Sequence, residues 1–194
     1  MNFNLLHDAV LVAMALLFAV AIAVIIERLI YYVFINKAHK QLTNAMASRD
    51  PTELQAELER TAVGPHARMV AGVHALKKAD PEHFDLKVQA LYLSQQGSVK
   101  RLLWLVDTTI TLSPLLGLLG TILGIIDTFT ALAAQGVSDP QAVSQGIGTA
   151  LFATAAGIGI AVFCLVFNNY FNERVERVNE QLKVLALNFA SEAP

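Results

Sequence analysis

Long apolar stretches alternate with stretches in which charge returns every few positions along this chain. Ala9 to Ile26 is uncharged and almost wholly apolar. It spans about 18 residues, or roughly 27 Å of α-helix, close to the thickness of a bilayer's hydrocarbon core. It extends through Tyr31 and Phe34 if Glu27 and Arg28 sit at an interface as a snorkelling pair. A second apolar block runs from Leu102 to Ala134 and a third from Val143 to Phe167. The pattern predicts an all-α membrane protein with three transmembrane helices and long helical extensions. Its parts are an N-terminal segment with the first span (1–36), a helical insert (37–101), the second span (102–134), a short loop (135–142), the third span (143–168) and a C-terminal helix (169–194).

Turn and cap chemistry organises the polar parts. Asp50, Pro51 and Glu53 form a helix start, with an N-cap, a proline at the first helical position and an acid three residues after the cap. Asp80 with Pro81 and Asp139 with Pro140 repeat the device. Gly64 and Pro65 break the insert into an antiparallel helical turn. After Pro81 only Gly97 interrupts before Pro114, which predicts one long helix rising into the second span. Beyond the third span Val175, Val178, Leu182, Leu185 and Phe189 keep a three-to-four spacing, so that helix continues as an amphipathic tail.

Composition agrees: 55% of the 194 residues are hydrophobic and 15% charged, with a mean hydropathy of +0.50. An ordinary soluble domain is excluded as the first reading. The placement of basic residues says more than the net charge of -2. Lysines and arginines follow the first span, precede the second and follow the third, and none lies between Arg101 and Arg174. By the enrichment of basic residues on cytoplasmic flanks, the N-terminus is expected outside and the C-terminus inside. With only His7 and Asp8 just ahead of the first span, the segment is expected to be retained rather than cleaved as a signal peptide. No basic stripe for nucleic acid is present. The five histidines show no ligand spacing, so no metal site or cofactor is expected. Cys164 reads as a small buried hydrophobe.

The chemistry that remains lies in the second and third spans. Antiparallel helices joined near Val137 place Thr121 and Thr154 at similar depth, roughly 25 Å of helix from the loop tip. Thr149 lies nearer the outside. Each hydroxyl could simply bond to a carbonyl one turn back. Two level threonines among Gly117, Gly120, Gly124, Gly146, Gly148 and Gly157 weaken that reading and predict close helix packing in an oligomer. Asp127 reads as solvated near the outer interface, about 120° around the helix from Thr121, and Asp107 as solvated near the inner one. These two are the candidate acidic relay.

The runs "LSPLLGLLGTILGIIDTF", Leu112 to Phe129, and "GIGTALFATAAGIGIAV", Gly146 to Val162, resemble the paired signature of the ExbB/TolQ/MotA family of ion-channel stator subunits, closest to ExbB. The resemblance implies a homopentamer in the bacterial inner membrane whose second and third spans line a central channel. It also implies an ExbD-like partner with one span and an intramembrane Asp, and a TonB-like transducer energised by proton flow. Thr121 and Thr154 match the family's channel-wall threonines, Pro114 its proline, and Gly117, Gly120 and Gly124 its glycines. Five residues before the span-three threonine, where ExbB and TolQ usually carry Glu, this chain has Thr149. The channel wall is therefore expected to be uncharged, with Asp127→Asn tolerated to a measurable degree. A passive helical scaffold is the competing class; an intramembrane enzyme is disfavoured because no catalytic constellation appears.

Overall fold

The computed structural model describes residues 3–48, 51–61, 64–79, 83–135 and 140–191. Six α-helices account for nearly all of them: α1 (Phe3–Ser48), α2 (Pro51–Arg60), α3 (Pro65–Ala79), α4 (Phe84–Val99), α5 (Leu103–Gln135) and α6 (Pro140–Ser191). Three helices contain segments long and apolar enough to cross a membrane, Leu5–Met46, Leu103–Ala133 and Val143–Leu187. α1 has 46 residues and α6 has 52. At about 1.5 Å per residue, each is more than twice as long as a bilayer core of roughly 30 Å requires. The third apolar run therefore does continue as one helix into its polar tail.

α2 begins at Pro51 and α6 at Pro140. The capping roles read for Asp50, Asp80 and Asp139 fall outside the described residues. The break at Gly64 and Pro65 stands between α2 and α3. The single long helix expected from Pro81 into the second span does not form. α4 ends at Val99, and Leu102 adopts a left-handed conformation with φ 67° before α5 begins at Leu103. A leucine in that region is strained by its Cβ against the following carbonyl, and one such residue suffices to stop a helix. No glycine or proline marks the spot.

The chain divides into two compact units, Met1–Ile26 with Leu102–Tyr170, and Glu27–Arg101 with Phe171–Pro194. In the first, α5 and α6 pack through small residues. Ala150, Ala153, Ala161 and Cys164 are buried, while Leu115, Leu118, Ile122, Phe152, Val162 and Val166 face outward. An apolar exterior around a small-residue interior is the reverse of a soluble helix pair. It is what lipid or neighbouring helices require. In the second unit, large side chains make the core. Ile35, Leu42, Met69, Val70, Val73, Phe171, Val175 and Leu182 are each at most 2% exposed. Tyr32 packs on Phe171 and donates its hydroxyl to the Val99 carbonyl at 2.9 Å. Val178 and Leu185 are buried with Val175 and Leu182, as the tail periodicity predicts; the Phe189 side chain lies outside the described residues.

Arg28 corrects the snorkelling expectation. Its guanidinium is 2% exposed, donates to both carboxylate oxygens of Glu27 at 2.6 and 3.1 Å, and lies 4.5 Å from the Tyr31 ring centroid. The carboxylate and the ring take the place of water around part of the charge, while Nη1 is buried without a hydrogen-bond partner among the described residues.

Candidate functional site

The site is built on the closest approach of α5 and α6. A Cβ on Gly117 would stand 2.8 Å from the Ala153 carbonyl oxygen and 3.0 Å from the Thr154 Cα. One on Gly157 would run into the Ser113 carbonyl. Only hydrogen fits at these two positions, so the backbones approach to a distance no larger residue permits. Gly120 and Gly124 extend the seam against Ala153 and Ala150, and Gly146 faces Thr128. Pro114 stands inside α5. Beside it the buried Ser113 hydroxyl donates to the Thr109 carbonyl at 2.7 Å.

That approach sets two hydroxyls against each other. Thr121 Oγ1 and Thr154 Oγ1 are hydrogen-bonded across the seam. Thr121 Oγ1 also lies 3.1 Å from the carbonyl oxygens of Gly117 and Ala150, and Thr154 Oγ1 3.1 Å from that of Gly117. Two hydroxyls carry two protons between them. Two carbonyls and the two hydroxyl oxygens compete for those protons. The cluster is therefore short of donors. It can take up a further O–H from water or a protonated carboxyl, and rotation of either hydroxyl redistributes the bonds without moving the helices. Both threonines are half-buried, so the pair is reachable rather than sealed.

The other expected residues separate from this pair. Thr149 is exposed, and its hydroxyl donates to the Gln145 carbonyl one turn back at 2.9 Å. Asp107 is exposed and accepts a 2.6 Å hydrogen bond from Asn168 Nδ2. Asn168 is 7% exposed, and its Oδ1 is buried without a partner among the described residues. The sequence reading passed over Asn168; its only signal was a polar residue ending an apolar run. Asp127 is half-buried and lines a half-open pocket with His7, Thr128 and Thr149.

A second polar cluster, also passed over, lies in the unit of Glu27–Arg101 and Phe171–Pro194. The rings of His39 and His66 lie against each other, tilted by 39° with centroids 4.4 Å apart, and His66 Nε2 is 3.0 Å from Gln181 Oε1. Burial, then the neighbouring His39, brings the His66 imidazole down to about 4, against the hydrogen bond with Gln181 that acts the other way. Among the described residues no group of three or more metal-ligating side chains occurs.

The sequence profile of the MotA/TolQ/ExbB proton channel family matches residues 54–184. An ExbB-like 3 biopolymer transport protein of Synechocystis sp. is 34% identical over 156 residues, covering 78% of this chain and 74% of that protein. The biopolymer transport protein ExbB of Aquifex aeolicus is 29% identical over 108 residues, 56% of this chain and 68% of its own. The Tol-Pal system protein TolQ of Haemophilus influenzae is 36% identical over 73 residues, 38% of this chain and 32% of its own. The matched region thus ranges from about a third to three-quarters of the relatives' lengths. With three apolar helices, a glycine seam and a family match over most of its length, this chain is a membrane protein that belongs to the MotA/TolQ/ExbB proton channel family.

Proposed function

We propose that this chain is the ring-forming subunit of a proton-driven motor in a bacterial inner membrane, a homopentamer with a periplasmic N-terminus and a cytoplasmic C-terminus. Its α5 and α6 helices line a channel that holds the single membrane helix of an ExbD-like partner, whose Asp carries the proton. Proton flow energises a TonB-like transducer. One observation carries the reading: the donor-poor hydroxyl pair of Thr121 and Thr154, level with each other inside two apolar helices. Such a cluster can accept the O–H of a protonated carboxyl and release it again, because it holds no fixed counter-charge that would trap the carboxylate. Family membership and the named ExbB relatives support the same assignment.

A passive scaffold is the second reading. It is favoured by the fact that the two hydroxyls bond to each other within one chain. Thr121→Val and Thr154→Val separate the two. Each is nearly isosteric and removes one hydroxyl. For the motor reading, rings carrying either change keep their native mass but lose at least about tenfold of their partner-dependent proton flux in liposomes, a barrier change of about 1.4 kcal/mol. Unchanged flux in both single variants and in the double variant would leave the scaffold.

A further inference from the structure

Just past the first apolar run, α1 and the end of α2 shape a small open pocket of about 120 Å³ in the unit of Glu27–Arg101 and Phe171–Pro194. Phe34, Lys37, Ala38 and Gln41 of α1 line it, with Arg60 at the end of α2 and Thr61 after it. Ala38 and Thr61 are buried, whereas Lys37 and Arg60 are exposed. Two cations far apart in the sequence thus line one pocket, and no carboxylate lines it with them. Arg60 is held loosely: it is 70% exposed and its nearest acid, Glu57, stands 4.0 Å away with Oε1 buried and without a partner among the described residues. No acid pairs with Lys37 among the described residues. The Thr61 hydroxyl donates to the Glu57 carbonyl at 2.6 Å. The donors left for an anion are the Lys37 ammonium, the Arg60 guanidinium and the Gln41 amide.

Along α1 the pocket continues into an apolar face. Ile30, Val33 and Phe34 are exposed, and at 100° per residue Ile30, Val33 and Lys37 lie within about 60° of one another around the helix. Counted along the chain, the apolar positions from Leu5 to Phe34 amount to about 45 Å of helix, the thickness of a bilayer with its head-group layers. Lys37, one turn further, stands at the level of lipid phosphates. Lysine and arginine reach such groups along their own methylene stems. Size narrows the occupant. The pocket is well below the roughly 300–1,000 Å³ that enclose a whole small molecule, so it takes a head group whose remainder lies outside, against an apolar surface.

We propose that this pocket binds the phosphate of an anionic phospholipid, whose acyl chains lie along the Ile30, Val33 and Phe34 face of α1. Lys37 and Arg60 hold the phosphate through charge-assisted hydrogen bonds, and Gln41 adds a neutral one. A choline head group would bring its own cation against the same two side chains; a glycerol head group brings none. Without an anion Lys37 and Arg60 repel each other, so the bound lipid ties the end of α2 to α1 at the membrane surface. This needs α1 to cross the membrane but does not need the chain to conduct protons.

The purified full chain in detergent is titrated with phosphatidylglycerol and, separately, with phosphatidylcholine, and bound lipids are counted by native mass spectrometry. Phosphatidylglycerol is expected to bind at least about tenfold more tightly, the preference that two basic residues at a membrane surface supply. Lys37→Gln with Arg60→Gln is expected to abolish that preference, and Lys37→Arg with Arg60→Lys to keep it. Lys40→Gln, which removes an exposed cation outside the pocket, is expected to leave it unchanged. Amide hydrogen exchange in α2 is expected to slow with phosphatidylglycerol in the wild type and not in the double glutamine variant. Equal binding of the two lipids, a preference that survives the double glutamine change, or an equal loss in Lys40→Gln overturns the inference. So does displacement of the lipid by an equal concentration of inorganic phosphate, which would make the pocket an anion site without a lipid. A cross-link from Lys37 to a second copy of the chain that phosphatidylglycerol does not prevent would give the pocket to that copy instead and likewise overturn it.

Discussion

The two compact units achieve close packing by opposite means. Where α5 meets α6, burial is done by what is missing: Gly117 and Gly157 remove side chains so that carbonyls and Cα atoms touch, and hydroxyls bridge the seam. Among Glu27–Arg101 and Phe171–Pro194, burial is done by mass, with Phe171, Tyr32, Met69 and Leu182 filling the interior. The difference follows from solvent. Water drives large apolar side chains together, whereas lipid is as apolar as leucine and rewards only close van der Waals fit and hydrogen bonds. A seam built on close fit keeps backbone carbonyls near polar side chains, which is where a proton path can be made. A core built on bulk excludes that chemistry and supplies rigidity.

The strongest way to break the contrast is to empty the bulky core. Phe171 is wholly buried against Tyr32. Phe171→Ala should cost about 3–5 kcal/mol by lost transfer energy and the cavity left behind, read as a lower unfolding midpoint in detergent.

The seam should respond to the opposite insult. Gly157→Ala pushes a methyl into the Ser113 carbonyl and should destabilise by about 1–3 kcal/mol, or separate α5 from α6. Gly159→Ala, whose Cβ meets nothing within 4 Å, should stay within about 0.5 kcal/mol of wild type. Equal thermal midpoints for the two alanines would erase the distinction between seam and open face.

Acid should act on the bulky unit. The His66 value of about 4 lies below the ordinary imidazole value of 6.5, so the unfolded chain takes the proton first. The stability contributed by burying the neutral ring is complete above pH 6.5 and is lost as pH falls toward 4. The loss should be of order 2 kcal/mol. His66→Gln should remove most of that slope in unfolding measured across the same window.

A similarly small stability effect should come from the residues that matter most to the proposed function. Thr121→Val removes one hydroxyl from the seam and should cost about 0.6 kcal/mol, the average for a hydrogen bond between membrane helices. A loss of several kcal/mol in the thermal midpoint would identify the pair as a structural clasp.

Much was legible before any coordinates. Runs of uncharged residues long enough for a bilayer marked three spans, the break at Pro65 and the start at Pro140 stand at helix ends, and the period of Val175, Val178, Leu182 and Leu185 marked a buried stripe. The level placement of Thr121 and Thr154 also followed, since two antiparallel helices and a short loop fix depth by counting. These are local properties, set by rise per residue, backbone preference and the transfer energy of side chains.

What the tertiary structure alone decided is which distant residues meet. His39 packs against His66, Asn168 reaches Asp107, Arg28 stays buried beside Tyr31, and His7 joins Asp127 and Thr149 around one pocket. Each partnership depends on the rotation of a helix about its axis and on how closely its neighbour approaches. A rotation of 100° per residue is invisible to composition, and the approach is set by pairs such as Gly157 against the Ser113 carbonyl. The left-handed turn at Leu102 belongs to the same class. Its backbone strain is of order 1–2 kcal/mol, and no glycine or proline between Ser98 and Leu102 announces it.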